Sequence, residues 1–334
     1  MPRVSVVIPN YNRARYLGRR IESVLRQRFA DIEVLVLDDA SPDASREVAL
    51  RYAADPRVRF HFNERNSGNA YQQWQRGLSL TGAPYVWIAR SNDHADASLL
   101  AHLVPELDAD PRIGLAVCNS WCIDADDAML GAYFEIWRQD RVSDYELSRF
   151  ERRFVMDGAD YARELMSPWN TIPSASAVLF RRSALASIGG PVTELPLCGD
   201  WMTYCKLLAK HRIARVPHAL NFFRQHTQNV RGSISASQFV REALQVQQWI
   251  AGTFGSSGAS HPGGLRFYSQ ALIGDERRPP AGKVPFARIP ALLREAVQLD
   301  ARLAATTARI LAREALGQLA RRLGIRAVRG AGAR

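Results

Sequence analysis

Cysteine is scarce in this chain: Cys118, Cys122, Cys198 and Cys205 are the only four, and none forms a CxxC pair or a zinc-type spacing. That pattern argues against a disulfide framework or a zinc ribbon and suits reduced, partly buried thiols. Long apolar runs are also missing, and none approaches the ~18 residues of a membrane-spanning helix. No cleavable leader pattern precedes the first apolar stretch, Val4-Ser5-Val6-Val7-Ile8, so a cytoplasmic location is the expectation. Lysine is nearly absent, with Lys206, Lys210 and Lys283 standing alone among 44 basic residues. The net charge of +11 is unevenly placed, because residues 288–334 alone carry +7. A basic tail of this kind explains most of the charge and argues against a nucleic-acid binder.

What is present is a regular alternation of strands and helices. Apolar runs at 4–8, 33–37, 58–62, 85–89 and 113–118 read as strands. Helical periods at 14–26, 70–80 and 97–108 lie between them, the first with Leu17, Ile21, Val24 and Leu25 on one face. Ser41-Pro42 reads as the start of a further helix, with Ser41 as N-cap. This βαβ order predicts an α/β fold, a mainly parallel twisted sheet wound with helices. After an irregular, aromatic and charged middle (124–169), a strand at 175–180 precedes a short helix at 182–187, and Gly199-Asp200 opens another helix. Glycine and proline between 254 and 280 read as a linker, and a helical period returns over 289–323.

Acidic residues sit just past two of the strands. Ile32-Glu33-Val34-Leu35-Val36-Leu37 runs into Asp38-Asp39, and Tyr85-Val86-Trp87-Ile88-Ala89 runs into Arg90-Ser91-Asn92-Asp93. Open α/β sheets bind ligands beyond the carboxyl ends of their strands, so both clusters are placed to converge on one ligand. His94, beside them, reads as a polar surface residue.

Several spaced motifs then occur in a specific order. They are Val4–Asn12, Leu17 with Ile21-Glu22-Ser23-Val24-Leu25-Arg26-Gln27, Val36–Asp43, Asn66-Ser67-Gly68, Gly82-Ala83-Pro84-Tyr85-Val86, Ser91-Asn92-Asp93 and Ala177–Arg182. Together they resemble family 2 glycosyltransferases of the GT-A fold, densely over residues 2–120 and more thinly to about 235. The resemblance implies an inverting transfer of a sugar from a nucleotide diphosphate, UDP or dTDP, to a hydroxyl of a polysaccharide or glycolipid. It also divides the chain into a nucleotide-sugar-binding half (1–120), an acceptor-binding half (121–235) and a helical, basic C-terminal extension (236–334).

By the same resemblance, Pro9, Tyr11 and Asn12 form the nucleotide loop. Asp39 would accept from the N3–H of uracil or thymine, an acceptor-only group meeting a donor. Asn92 stands where the family usually carries Asp and would reach a ribose hydroxyl. Asp93 would hold Mn²⁺ or Mg²⁺ through the donor diphosphate. Asp200 would be the general base, preceded by Gly199 where the family usually has Glu. Arg224 and His226 would approach the diphosphate or a closing loop, and Gln73, Gln75 and Arg76 could line the donor pocket.

The residues alone leave alternatives open. Asp39 and Asp200 are also helix-capping types, and Ser91-Asn92-Asp93 could be a plain turn. A nucleotidyltransferase would share strand-end acids, but Pro9-Asn10-Tyr11-Asn12-Arg13 is not a Gly- and Lys-rich phosphate loop. Asn92 and Gly199 raise a second rival, a catalytically impaired descendant that only binds nucleotide or glycan. In the tail, an apolar stripe accompanies Arg294, Arg302, Arg309 and Arg313. That stripe suits either peripheral contact with an anionic membrane or packing on the catalytic domain or a second subunit, as in a homodimer.

Overall fold

The computed structural model describes residues 1–136, 148–167, 169–172, 174–225, 236–255, 268–269, 290–291, 294, 297 and 301–322. The first four strands are β1 (Val4–Asn10), β2 (Ile32–Asp38), β3 (Val58–Phe62) and β4 (Tyr85–Ile88). Helices α1 (Ala14–Leu25), α2 (Ser45–Leu50) and α3 (Ala70–Ser79) connect them. The remaining strands are β5 (His94–Ala95), β6 (Ile113–Ile123), β7 (Met129–Ala132), β8 (Phe154–Met156), β9 (Val178–Arg181) and β10 (Arg212–Arg224), with α4 (Leu99–Ala109) between β5 and β6. They form one sheet of order β3-β2-β1-β4-β9-β6-β10-β5, with β7 on β6 and β8 on β10.

β1 pairs in parallel with both β2 and β4, and β2 in parallel with β3. The chain therefore winds outward from β1 to β3, then returns to the other side of β1. That reversal is a topological switch point, and a crevice opens there at the carboxyl ends of the strands. Beyond β4 the sheet turns mixed: β9 runs antiparallel to β4 and β6, whereas β10 is parallel to β6.

Both faces of the sheet are covered, which is why its strands read as unbroken apolar runs. Val6 and Ile8 join one buried cluster with Leu17, Ile21 and Leu103, while Val7 between them joins the other with Trp74 and Phe180. The alternation is the period-2 of an extended chain. On the Val7 face a Cβ at Gly77 would lie 2.3 Å from Val7 Cγ1, so only glycine lets α3 approach β1 this closely.

Three expectations need correction. Ser41 does not cap a helix: α2 begins at Ser45, and the Ser41 hydroxyl instead donates to Asp38 Oδ1 at 2.6 Å. His94 is buried rather than on the surface, because β5 pairs with β10 and stacks its ring 4.3 Å from Phe222. The strand placed at 175–180 begins with a 3₁₀ turn, Ala175–Ala177, and is extended only from Val178 to Arg181.

Two helices of the C-terminal region are built into the core. Val240, Ala243, Leu244, Val246 and Ile250 of helix Ala236–Phe254 are buried with Met166, Trp201 and Tyr204, as are Leu303 and Ala304 of helix Ala301–Arg322. On the latter helix Leu303, Thr307 and Leu311 face inward while Arg302 and Arg309 are exposed, so the visible part of the apolar stripe is covered by protein. Among the described residues no helix is long and apolar enough to cross a membrane. Most of the glycine- and proline-rich linker lies outside the described residues.

Candidate active site

The end of β1 meets the end of β2 through side chains. Asn10 Nδ2 donates to Asp38 Oδ1 at 2.7 Å, and Asp38 Oδ2 accepts the Ser41 N–H at 3.0 Å. Ser41 Oγ in turn accepts the Asn12 N–H at 2.9 Å. Asn12 (φ 53°) and Ala40 (φ 58°) are both left-handed, a conformation that non-glycine residues adopt at a cost of order 1–3 kcal/mol and that is found most often at functional sites. Asp38 thus fixes two loop backbones. Pro9 continues β1, and Tyr11 and Asn12 stand exposed at the loop tip, with Tyr11 47% accessible.

Asp39 points the other way, into the turn after β3. Its carboxylate accepts from Asn63 Nδ2 (2.7 Å), the Ser67 hydroxyl (2.7 Å), the Ser67 N–H (3.0 Å) and Gln73 Nε2 (2.9 Å). Four donors satisfy a carboxylate that is almost wholly buried. A further N–H, such as a pyrimidine's, could enter by displacing the Ser67 hydroxyl, which is free to rotate. Asn63, Ser67 and Gln73 also line a cleft of about 610 Å³ shared with His61, Gln75 and Arg76. Of the three helix residues expected near the donor, Gln73 is therefore buried against Asp39, and Gln75 and Arg76 face that cleft.

The end of β4 carries Arg90, Asn92 and Asp93. Asp93 is 1% exposed: Oδ2 accepts the Ser174 and Ser176 hydroxyls, each at 2.8 Å, and Oδ1 accepts the Arg224 N–H at 3.1 Å. Arg224 does not reach outward toward a diphosphate. Its Nε donates to Asn92 O (2.8 Å), its Nη1 to Asp124 O (2.6 Å) and its Nη2 to Asp127, while its guanidinium lies 4.4 Å from the Tyr16 ring. This cation is committed to Asn92 on one side and to the Asp124–Asp127 turn between β6 and β7 on the other, so Arg224 ties the two turns together from within. His226, two residues on, lies outside the described residues.

Two other arginines lie close past the ends of β1 and β4 and escaped the motif reading. Arg13 follows the β1 loop, its guanidinium pulled below the usual range by burial and then by the nearby charge of Arg90. Arg90 is half-buried, with its guanidinium 5.8 Å from the Phe223 ring. Beneath them Arg20 is fully buried, stacked 5.0 Å from Trp87, and burial holds it down to about 10. Its Nε donates to Arg90 O at 3.0 Å. The signal for Arg13 and Arg90 was their place immediately after strand ends.

Asp200 approaches from the other half of the sheet. It lies in the first turn of helix Gly199–Leu208, half-buried, with Oδ1 accepting the Trp201 N–H at 2.6 Å. The N-cap is Cys198, so Asp200 is not the capping residue. Burial and then the charge of Asp200 raise Tyr71 and Tyr204 well above the usual tyrosine range, while Arg90 opposes both shifts. Asp200 and Arg90 therefore share a neighbourhood, with Tyr71 of α3 as the common neighbour. A Cβ at Gly199 would sit 2.6 Å from a Tyr71 ring carbon and 2.6 Å from Val192 O, which leaves no room there for Glu.

A Mn²⁺ or Mg²⁺ ion bound with a diphosphate needs one or two carboxylate oxygens, the rest of its shell being phosphate and water. Asp93 offers such a carboxylate, and a cation there would take the place of the Ser174 and Ser176 hydroxyls that its Oδ2 now accepts. Among the described residues no three His, Cys, Asp or Glu side chains cluster, so a resident ion caged by protein does not fit.

The profile of the Glycosyl transferase family 2 matches residues 5–189, more than half of the chain. This chain belongs to that family. Glycosyltransferase GlyG of Streptococcus pneumoniae is 34% identical over 141 residues, 41% of this chain and 44% of GlyG. The poly(ribitol-phosphate) β-N-acetylglucosaminyltransferase TarP of Staphylococcus aureus is 36% identical over 95 residues, 28% of this chain and 29% of TarP. The chain thus spans less than half the length of these curated relatives. The crystal structure of S. aureus TarS 1–349 with UDP-GlcNAc superposes with a TM-score of 0.61 at 16% identity, covering 91% of this chain and 83% of that one, which shows the shared GT-A fold.

Proposed function

We propose that this glycosyltransferase moves a sugar, with inversion, from UDP or dTDP to a hydroxyl of a polysaccharide or glycolipid acceptor, with Asp200 as the general base. What supports the reading is that Arg13, Asp39, Arg90 and Asp93 follow the ends of β1, β2 and β4, and that the charges of Arg90 and Asp200 both act on Tyr71. The polymer acceptor in TarP's name and the UDP-GlcNAc in the TarS crystal support the substrate classes.

In this reading the exposed ring of Tyr11 stacks on the pyrimidine while Asp39 takes its N3–H in place of the Ser67 hydroxyl. Asn92 reaches the ribose. Asp200 accepts the acceptor proton as the new C–O bond forms on the face opposite the departing diphosphate. Arg13 and Arg90 stabilise the charge that develops on the leaving oxygen. A divalent ion carried in by the diphosphate and held by Asp93 would add Lewis-acid stabilisation.

Calorimetric titration of UDP and dTDP, with and without Mn²⁺, tests the donor assignment on wild type and on Asp93→Asn. Micromolar binding strengthened by Mn²⁺ in the wild type only is the expected result. Absence of binding under every condition would favour the second reading, a catalytically impaired descendant that binds glycan, motivated by Asn92 and Gly199.

A further inference from the structure

Helix Ala236–Phe254 lies beyond the segment that the family profile matches, yet it reaches the turn that leads into Asp200. Glu242, on this helix, is only 5% exposed. A buried carboxylate persists only where donors replace the water it has lost. Here Oε2 accepts the Leu197 N–H at 2.8 Å and the Cys198 N–H at 2.9 Å, and Gln238 Nε2 donates to Oε1 at 3.2 Å. Hydrogen bonds from backbone N–H to an ionised carboxylate are about twice as strong as neutral ones.

Leu197 and Cys198 are the two residues immediately before helix Gly199–Leu208, and the Cys198 side chain makes no capping hydrogen bond to that helix. Glu242 thus supplies from another helix a tether that the local sequence does not provide. The opposite side of the same turn is closed by the Tyr71 ring against Gly199. Below it, Thr203 Oγ1 accepts the Val192 N–H (2.9 Å) and donates to Gly199 O (2.6 Å). The backbone that carries Asp200 is held from three directions, and Glu242 brings a carboxylate to that frame.

We infer that Glu242 is a positioning residue for Asp200: its carboxylate fixes the Leu197-Cys198 turn and thereby the aim of the base. The inference rests on the reading of Asp200 as base. Glu242 touches no substrate, and its effect is geometric. A misplacement of ~1 Å at a reacting group costs about 100-fold in rate, so loss of this tether should appear in kcat.

The test is steady-state turnover, measured as nucleotide release by the full chain, alongside UDP calorimetry, for Glu242→Ala, Glu242→Gln and Asp200→Asn. Gln keeps a carbonyl oxygen that accepts both N–H groups, whereas Ala leaves them unpaired in the interior. The expected result is kcat lowered at least ~10-fold in Glu242→Ala with UDP affinity within about twofold of wild type, and most of the rate restored in Glu242→Gln. Should the Ala variant not fold, Glu242→Asp carries the test: its acceptor is withdrawn by one methylene, and the same split of kcat from affinity is expected. Unchanged kcat, or kcat and UDP affinity falling together, would overturn the inference. Asp200→Asn separates the two levels of the account. If it keeps wild-type turnover, the base assignment fails and this inference with it; if it is inactive while Glu242→Ala is not, only this inference fails.

Discussion

Asp93, past the end of β4, and Asp200, in the first turn of helix Gly199–Leu208, are both candidate site acids, but their surroundings differ. Asp93 is buried under two serine hydroxyls and a backbone N–H. Asp200 is half-buried in the first turn of a helix whose preceding backbone is braced by Glu242 and Tyr71. The first is an acceptor organised by donors, a suitable partner for a cation or for structure. The second is half-buried, accepts the Trp201 N–H, and sits on a turn that another helix holds in place. Two acids of one fold are thus set apart by their burial and by what holds the backbone on which they stand.

The same contrast applies to the arginines and can be broken by mutation. Arg224 has every guanidinium face engaged internally, so Arg224→Met should destabilise the protein by about 3–5 kcal/mol, as breaking a buried charged pair does. Thermal or urea unfolding would read the loss. Arg90→Ala should cost about 1 kcal/mol of stability, far less than Arg224→Met, yet weaken UDP binding about tenfold. Weak nucleotide binding in a stable Arg224→Met, or unfolding of Arg90→Ala, would reverse the roles assigned to these two cations.

His94 sharpens the comparison through pH. Burial pushes its imidazole down to about 4, and the charges of Arg19, Arg20 and Arg224 act in the same direction against Asp127. The unfolded chain, with a pKa near 6.5, then binds more protons than the folded one between these two values. Stability should fall as pH drops from about 6.5 to 4, by up to ~3 kcal/mol from this group. In His94→Gln that part of the slope should be absent from urea titrations across the interval.

Much of the first half was legible because its signals are local. The apolar runs of β1 to β4 and the period of α1 and α3 place the strand ends, and with them Asp39 and Asp93, without any knowledge of tertiary structure. The resemblance to family 2 extended that to Asp200. Other features depend on contacts far apart in sequence. β10 contains Pro217, His218 and several arginines, and its pairing with β6 is interrupted by three register shifts, so it carries no clean period. Burial of His94 and Arg224 follows from that pairing and could not be read from their polarity. The tether from Glu242 to Cys198 spans 44 positions and leaves no motif. Ser41 was misplaced because Asp38, rather than a helix N-terminus, captured its hydroxyl.

The central claim is that Asp200 takes the acceptor proton while the opposite half holds the nucleotide, and Asp200→Asn tests it most directly. UDP affinity and turnover should be measured on the same preparation. The account predicts a fall in turnover of about 10²–10⁴-fold, the usual worth of a general base, with UDP affinity unchanged. Turnover within a few-fold of wild type, or UDP binding lost in parallel with it, would contradict the account.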